Sequence, residues 1–264
     1  MSSLKIGVFQ FKATGNLQEN HRKIVRAIQQ AHKKKVRLLV FQECATCGYP
    51  PIERSDVESI DFAVLEEYLH QLKEWAVSCD IYIAVGTITK REEKYFNSLQ
   101  VINPNGELLE TYDKRALWGW DTGMLSNFSR GSSKGIYLID GVKVGFRICF
   151  EIRFPEYFRE LYQEDVKLCF VSFNDVAEQE NIERYNLLKG HLQTRAVENV
   201  MTVIAVNSIS KYQTAPTAVF SPSGDVICEA TKNQEELLLY EYVEPAMTYG
   251  QKGLVDNYIN IAQI

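Results

Sequence analysis

Runs of apolar, β-branched residues bounded by turn signals alternate along this chain with longer segments of helical period, and that alternation confines it to α/β architectures. Leu4 to Phe11 and Val36 to Phe41 read as strands. Between them, Asn16 caps a helix whose Leu17, Ile24, Ile28 and Ala31 share one face. A helix over residues 64 to 78 and a strand from Ile81 to Ile88 continue the pattern. Hairpins follow: Phe96 to Ile102 and Leu108 to Tyr112 flank the turn Asn103-Pro-Asn-Gly106, and Ile136 to Ile139 and Val142 to Ile148 flank Asp140-Gly141. Pro155 suits the first turn of a helix running to Gln163, and Val166 to Phe173 is a buried strand. A long helix near 181 to 200, the strand Thr202 to Ile209, a hairpin about Ser221-Pro-Ser-Gly224 and the strand Leu237 to Val243 complete the set. This mixture predicts two sheets packed together with helices outside, because buried strands need cover on both faces. No linker or repeat divides the 264 residues, so one domain over 1–264 is expected.

Charge and composition exclude several functions. A formal net charge of -5 argues against a polyanionic partner, and the one basic run, Lys33-Lys34-Lys35, closes a predicted helix where cations suit the dipole. The N-terminal segment runs straight into a strand without the apolar stretch of a signal peptide, and no apolar run is long enough to span a bilayer. A cytoplasmic protein with no nucleic-acid or membrane partner is expected. The six cysteines are irregularly spaced in a chain long enough to fold without staples, which favours free thiols. No Gly-x-Gly-x-x-Gly, Gly-Lys-Ser/Thr or Gly-x-Ser-x-Gly occurs, so dinucleotide, nucleotide-phosphate and serine-hydrolase sites lack support.

Three polar residues stand where apolar strands stop: Glu43, Cys149 and Asn174. In α/β sheets, sites collect beyond the carboxyl ends of strands. Cys149 lies in Ile148-Cys149-Phe150-Glu151-Ile152-Arg153-Phe154-Pro155-Glu156, a strand, a sharp exit and a helix start. Such a turn presents a nucleophile while backbone N–H groups face the same reacting atom. An isolated cysteine at a strand end is more often a buried structural residue; the surrounding pattern decides here.

Taken with Phe41-Gln42-Glu43-Cys-Ala-Thr-Cys-Gly48-Tyr49-Pro50 and Tyr112-Asp113-Lys114-Arg115, the Cys149 segment resembles the nitrilase superfamily, the carbon-nitrogen hydrolases. Arg195-Ala196-Val197-Glu198-Asn199, Asn207 at a strand end and the Ser221-Pro-Ser-Gly224 turn extend the resemblance from Leu4 to about Val243. It implies a four-layer α-β-β-α sandwich of two mixed sheets flanked by helices, assembled as a homodimer or higher homo-oligomer. It also implies no metal and no organic cofactor. Cys149 becomes the nucleophile, Glu43 the general base and Lys114 the oxyanion stabiliser, with the Phe150 N–H as a second donor. The expected substrate is a small linear amide, such as a dicarboxylic acid monoamide, cleaved through a thioester with release of ammonia or an amine. Nitrile hydrolysis, N-carbamoyl hydrolysis and acyl transfer stay open on the same site.

The family commonly places a second glutamate in the loop after the lysine, and this chain departs from that pattern. Trp118-Gly119-Trp120-Asp121-Thr122 offers only Asp121, which is expected either to orient substrate or Lys114, or simply to cap the loop. Tyr49, Trp118, Phe150 and Asn174 are candidate substrate contacts, Trp120 and Arg153 further pocket candidates, although aromatics beside a loop are more often packing. Arg153 is given a supporting role, and no acidic substrate is inferred from it. Arg195 and Glu198 are expected to form a structural ion pair. Cys44-Ala-Thr-Cys47 matches a redox pair or half a zinc site, yet the chain lacks a second ligand pair, and Gly48-Tyr49-Pro50-Pro51 bars the helix that a redox pair would open. Two rivals therefore remain: a thiol redox protein using Cys44 and Cys47, and a silent binding scaffold whose support is the missing second glutamate.

Overall fold

The computed structural model describes residues 3–261. In chain order its elements begin with β1 (Ser3–Gln10), α1 (Leu17–Lys33), β2 (Leu38–Phe41), α2 (Phe62–Cys79), β3 (Tyr82–Arg91), β4 (Lys94–Ile102) and β5 (Tyr112–Asp113). The second half runs β6 (Ile136–Ile139), β7 (Val142–Ile148), a 3-10 turn (Cys149–Arg153), α3 (Pro155–Gln163), β8 (Leu168–Phe173) and β9 (Val176–Ala177). It ends with α4 (Ile182–Glu198), β10 (Thr202–Asn207), β11 (Tyr212–Gln213), β12 (Ala218–Phe220), β13 (Val226–Glu229), β14 (Glu236–Val243) and α5 (Tyr249–Ile261).

Two six-stranded mixed sheets form, ordered β14-β1-β2-β3-β4-β5 and β13-β12-β10-β8-β7-β6, with a small β11-β9 ribbon beside them. Each has a parallel centre, β1-β2-β3 in one and β7-β8-β10 in the other, and antiparallel flanks. The side-chain period of two explains why the innermost strands β2 and β8 carry apolar residues on both faces. On β2, Leu38 and Val40 enter the core between the sheets, while Leu39 and Phe41 pack beneath α1 and α2. On β8, Leu168 and Phe170 enter the same inter-sheet core, while Cys169, Val171 and Phe173 pack beneath α3 and α4. The result is the expected α-β-β-α sandwich.

Local signals hold where they rest on backbone geometry. The Asn16 side chain accepts from the Glu19 N–H and starts α1, and Pro155 opens α3. Asp140 and Gly141 both have positive φ, 46° and 82°, the conformation a two-residue β6–β7 hairpin requires. Two expectations need correction. Leu108 to Tyr112 does not form a strand along β4: after a single bridge between Ile102 and Leu108, pairing resumes only at β5. This stretch lies at the open sheet edge with Leu108 and Glu110 exposed, so it buries too little apolar surface to hold a ladder. The expected turn at 103–106 does return the chain antiparallel along β4 to β5, and on its other edge β4 pairs with β3, which continues through Arg91 and turns at Glu92. α5 was not anticipated, because its exposed Tyr249 and Leu254 lack an apolar period; it docks through Tyr258, whose ring meets Tyr162 at 5.0 Å.

One glycine fixes how closely β3 approaches the exit of β2. A Cβ on Gly86 would stand 2.2 Å from the Gln42 carbonyl oxygen and 2.8 Å from the Glu43 Cα. Backbone cannot yield as a side-chain tip can, so Gly86→Ala is expected to cost about 1–3 kcal/mol of stability and to displace Glu43. Urea unfolding checks the first effect; an unshifted midpoint would show that the strands separate freely.

Candidate active site

Four strand ends meet at one pocket. β2 delivers Glu43, β5 delivers Lys114, β7 delivers Cys149 and β8 delivers Asn174. The cavity holds about 250 Å³, and its lining includes these four residues together with Tyr49, Trp118 and Phe150. Every sequence-predicted site residue except Asp121 therefore faces it; Asp121 lies behind, against Lys114.

Glu43 is 1% exposed and takes three donors. Its Oε1 accepts from Lys114 Nζ at 2.8 Å and Asn97 Nδ2 at 2.7 Å, and its Oε2 accepts from the Asn174 N–H at 2.8 Å. Oε2 thus keeps a lone pair without a partner among the described residues. Lys114, also 1% exposed, lies 2.9 Å from Asp121 Oδ2. Burial alone would push this ammonium down, but the Glu43 and Asp121 carboxylates outweigh it and hold Lys114 well above the usual lysine range. Asp121 accepts further hydrogen bonds from the Tyr49 hydroxyl at 2.6 Å and the Trp118 N–H at 2.7 Å. Asp121 thus pairs with Lys114 and at the same time caps its own loop through the Trp118 N–H. The Tyr49 hydroxyl is committed to Asp121, so its ring, 5.9 Å from Lys114 Nζ, acts as a wall.

Cys149 sits at φ 47°, a left-handed conformation rare outside glycine, on the first residue of the 3-10 turn. Glu151 holds this strained exit. One oxygen accepts from the Ile148 N–H at 2.7 Å and the Tyr112 hydroxyl at 2.7 Å; the other accepts from the Arg115 N–H at 2.6 Å. A single buried carboxylate thereby ties the Cys149 turn to the segment that carries Lys114. Burial pushes the Cys149 thiol well above its ordinary range, the Glu43 charge adds to this, and Lys114 opposes it. These surroundings favour the neutral thiol over the thiolate. No histidine lines the pocket to take the thiol proton.

Several contributors carry no sequence signal. Asn97 lies inside β4, where a polar side chain reads as ordinary alternation. Asp175 pairs with Arg184 through both oxygens, at 2.8 and 2.5 Å, neutralising one pocket cation. Glu53, in the loop after Gly48, accepts from the Tyr49 N–H at 2.8 Å and from Asn174 Nδ2 at 3.0 Å. The acid at Glu151, two residues after a strand-end cysteine, was the most findable of these. The Trp118 and Phe150 rings meet at 5.0 Å, tilted by 57°, with Trp118 and Trp120 half exposed at the mouth. Arg195 and Glu198 form the expected ion pair at 2.9 Å. Cys44 and Cys47 are free thiols with no exposed surface, packed in the core beneath α1 and α2. Among the described residues no group of three or more His, Cys, Asp and Glu side chains is arranged to hold a metal ion, and no helix is long and apolar enough to cross a membrane.

Fold and site together define a class: an α-β-β-α sandwich in which a thiol, an ammonium and buried carboxylates converge at strand ends. The chain belongs to the carbon-nitrogen hydrolase family, whose model matches residues 5–248. It is similar to the 2-oxoglutaramate amidase of Bacillus subtilis, 26% identical over 87% of each chain. It is also similar to an omega-amidase of Danio rerio, 26% identical over 92% of this chain and 89% of the relative. Among solved structures, a carbon-nitrogen hydrolase from Helicobacter pylori G27 matches with a TM-score of 0.84 at 18% identity, covering 100% of this chain and 96% of its own. An amidase variant from Nesterenkonia sp. AN1, carrying the acetamide moiety of fluoroacetamide on its active-site cysteine, matches with a TM-score of 0.78 at 19% identity, covering 91% and 90%.

Glu53 offers a pH test of this site. Burial raises its carboxyl to about 7, the Glu43 charge adding and the Tyr49 and Asn174 donors opposing. Between its ordinary value of 4.5 and about 7, the folded chain binds more protons than the unfolded one, so stability falls as pH rises through that window. Glu53→Gln is expected to remove this loss, gaining on the order of 3 kcal/mol relative to wild type from pH 4.5 to 7. Urea unfolding across pH reads it; parallel curves would show that Glu53 ionises as in water.

Proposed function

We propose that the chain hydrolyses the carbon–nitrogen bond of a small linear amide, with Cys149 as nucleophile, Glu43 as general base and Lys114 as oxyanion stabiliser. The observation that carries this reading is the convergence of all three on one pocket, with a lone pair of Glu43 Oε2 left free. Cys149 Sγ attacks the amide carbon while its proton passes to Glu43. The carbonyl oxygen becomes negative and is met by Lys114 and by the Phe150 N–H, one of the first in a helical turn and so without an intrahelical acceptor. Glu43 returns the proton to nitrogen, the C–N bond breaks and ammonia or an amine leaves. Water, deprotonated by Glu43, then cleaves the thioester, and the proton goes back to sulfur.

Among the pocket cations, Lys114 is paired with Glu43 and Asp121, and Arg184 with Asp175. Arg153 lines the same pocket without a carboxylate partner among the described residues. This departs from the supporting role expected of Arg153 from sequence, and leaves an uncompensated guanidinium for a second, anionic end of the substrate. A dicarboxylic acid monoamide meets both requirements, in keeping with the acid-amide names of the two amidase relatives. Trp118, Phe150 and the Tyr49 ring supply the apolar walls between the two ends. The same reading carries a cytoplasmic homodimer formed through the helical layers, where α4 leaves Ile182 and Leu187 exposed.

Ammonia release from dicarboxylic monoamides, neutral aliphatic amides, N-carbamoyl amino acids and nitriles tests the reading. Release is expected to be fastest from the dicarboxylic monoamides and to vanish in Cys149→Ala; release that survives the substitution would sink the thiol mechanism. Asp121→Asn removes a charge that orients Lys114 and is expected to lower kcat about 10–100-fold with little change in KM. Unchanged turnover would exclude Asp121 from the machinery.

A further inference from the structure

Asn174 is 6% exposed, lines the pocket, and divides its hydrogen bonds unequally. Its backbone N–H goes to Glu43 Oε2 at 2.8 Å, and its Nδ2 goes to both oxygens of Glu53, at 3.2 and 3.0 Å. Its Oδ1 is buried and has no hydrogen-bond partner among the described residues. A buried carbonyl without a donor costs about 1–3 kcal/mol, so one left empty inside a ligand pocket is an unfilled acceptor site. Nδ2 faces both Glu53 oxygens, and the planar amide therefore turns Oδ1 away from them.

The position of this acceptor identifies its donor. Glu43 Oε2 is the oxygen that hands a proton to the departing nitrogen, and Asn174 is hydrogen-bonded to that same oxygen. The departing nitrogen and Asn174 are therefore both neighbours of one atom. We infer that Asn174 Oδ1 accepts a hydrogen bond from the N–H of the scissile amide, and that this contact makes the site selective for carboxamides over nitriles and esters. A nitrile nitrogen carries a lone pair and no hydrogen, and an ester oxygen likewise; each sets an acceptor against an acceptor. Sites built to bond an N–H reject analogues that lack one far more strongly than apolar pockets reject a change of size. In the amide the same contact fixes which face of the C–N group is turned toward Glu43, so proton return to nitrogen needs no further rearrangement.

The inference rests on Cys149 as nucleophile and Glu43 as base, and its test separates the two. Hydrolysis of a primary amide is compared with hydrolysis of the methyl ester of the same acid, in wild type, Asn174→Ala and Glu53→Gln, with Cys149→Ala as the blank. Asn174→Ala keeps the backbone bond to Glu43 and loses only the side chain. It is expected to lower kcat/KM for the amide about 10–100-fold while changing the ester less than about threefold. Glu53→Gln retains an acceptor for Nδ2 and is expected to preserve the amide-to-ester ratio. Should the alanine variant not fold, Asn174→Ser carries the same comparison, since its hydroxyl stops short of Oδ1. Binding of the unreacted amide and the matching nitrile to Cys149→Ala protein gives an independent reading, with the amide expected at least about tenfold tighter. Equal losses on amide and ester, or equal binding of amide and nitrile, would overturn the role of Asn174 and leave the hydrolase reading standing. A wild-type enzyme with no Cys149-dependent turnover of either substrate would instead remove the hydrolase reading itself.

Discussion

The buried cluster of Glu43, Lys114 and Asp121 is the interaction on which the rest of the site depends. Three charged groups, none more than 1% exposed, sit within 2.9 Å of a neighbour. Removing such ions from water costs several kcal/mol each, and attraction between them offsets this only when the remaining lone pairs are also satisfied. Here they are nearly all satisfied: Asn97 and the Asn174 N–H serve Glu43, and the Tyr49 hydroxyl and Trp118 N–H serve Asp121. The one unsatisfied position on Glu43 belongs to Oε2, where the chemistry needs it. A buried ion cluster is weak evidence for stability, but its geometric demand is strict, and every element that contributes a donor is held in place by it.

Burial pushes the Cys149 thiol up first of all, and the neighbouring Glu43 carboxylate adds to this. In the reaction proposed above, sulfur becomes nucleophilic only when a substrate carbon is present to receive the electron pair and Glu43 to receive the proton. Lys114, already neutralised by two carboxylates, regains an unmet partner as Glu43 is protonated and the oxyanion forms. Charge moves within the cluster from Glu43 to the substrate oxygen, and Lys114 follows without leaving its place. This is electrostatic preorganisation: the donor is in position before the charge develops.

How much of this could be read in the sequence follows from the same physics. Glu43, Cys149 and Asn174 are legible because a polar residue ending an apolar strand violates the pattern around it, and Lys114 because the motif about it matches the family's. The sandwich is legible because strands covered on both faces have nowhere to go except between layers of helix. Asn97 is illegible because a polar residue within a strand usually faces water, and only the inter-sheet packing turns it onto Glu43. Glu53 is illegible because its loop lacks periodicity and its partner, Asn174, lies 121 residues away. Asp121 is legible as an acid near the lysine, but its choice between substrate and Lys114 depends on the 2.9 Å contact that the fold creates. The stretch leading into β5 shows the converse failure: Leu109 and Tyr112 reach the inter-sheet core, but Leu108 and Glu110 face outward at the sheet edge, and the ladder breaks before β5.

The site is split between the two halves of the sandwich, and this makes the inter-sheet core part of the machinery. Glu43, Asn97 and Lys114 belong to the first sheet; Cys149, Glu151 and Asn174 belong to the second. Polar contacts cross between them, among them Ser172 Oγ to the Phe41 carbonyl at 3.1 Å, Tyr112 to Glu151 and Asn174 to Glu43. The remaining restraint is the apolar packing of Val40, Ala84 and Leu99 against Ile148, Phe170 and Val206. Such interiors are close-packed and transmit strain, so a change of volume there shifts one half of the site against the other. A misplacement of about 1 Å between nucleophile and base can cost about a hundredfold in rate. Residues such as Ala84 and Val206 thus constrain the reaction as strongly as some that line the pocket, although they never meet the substrate.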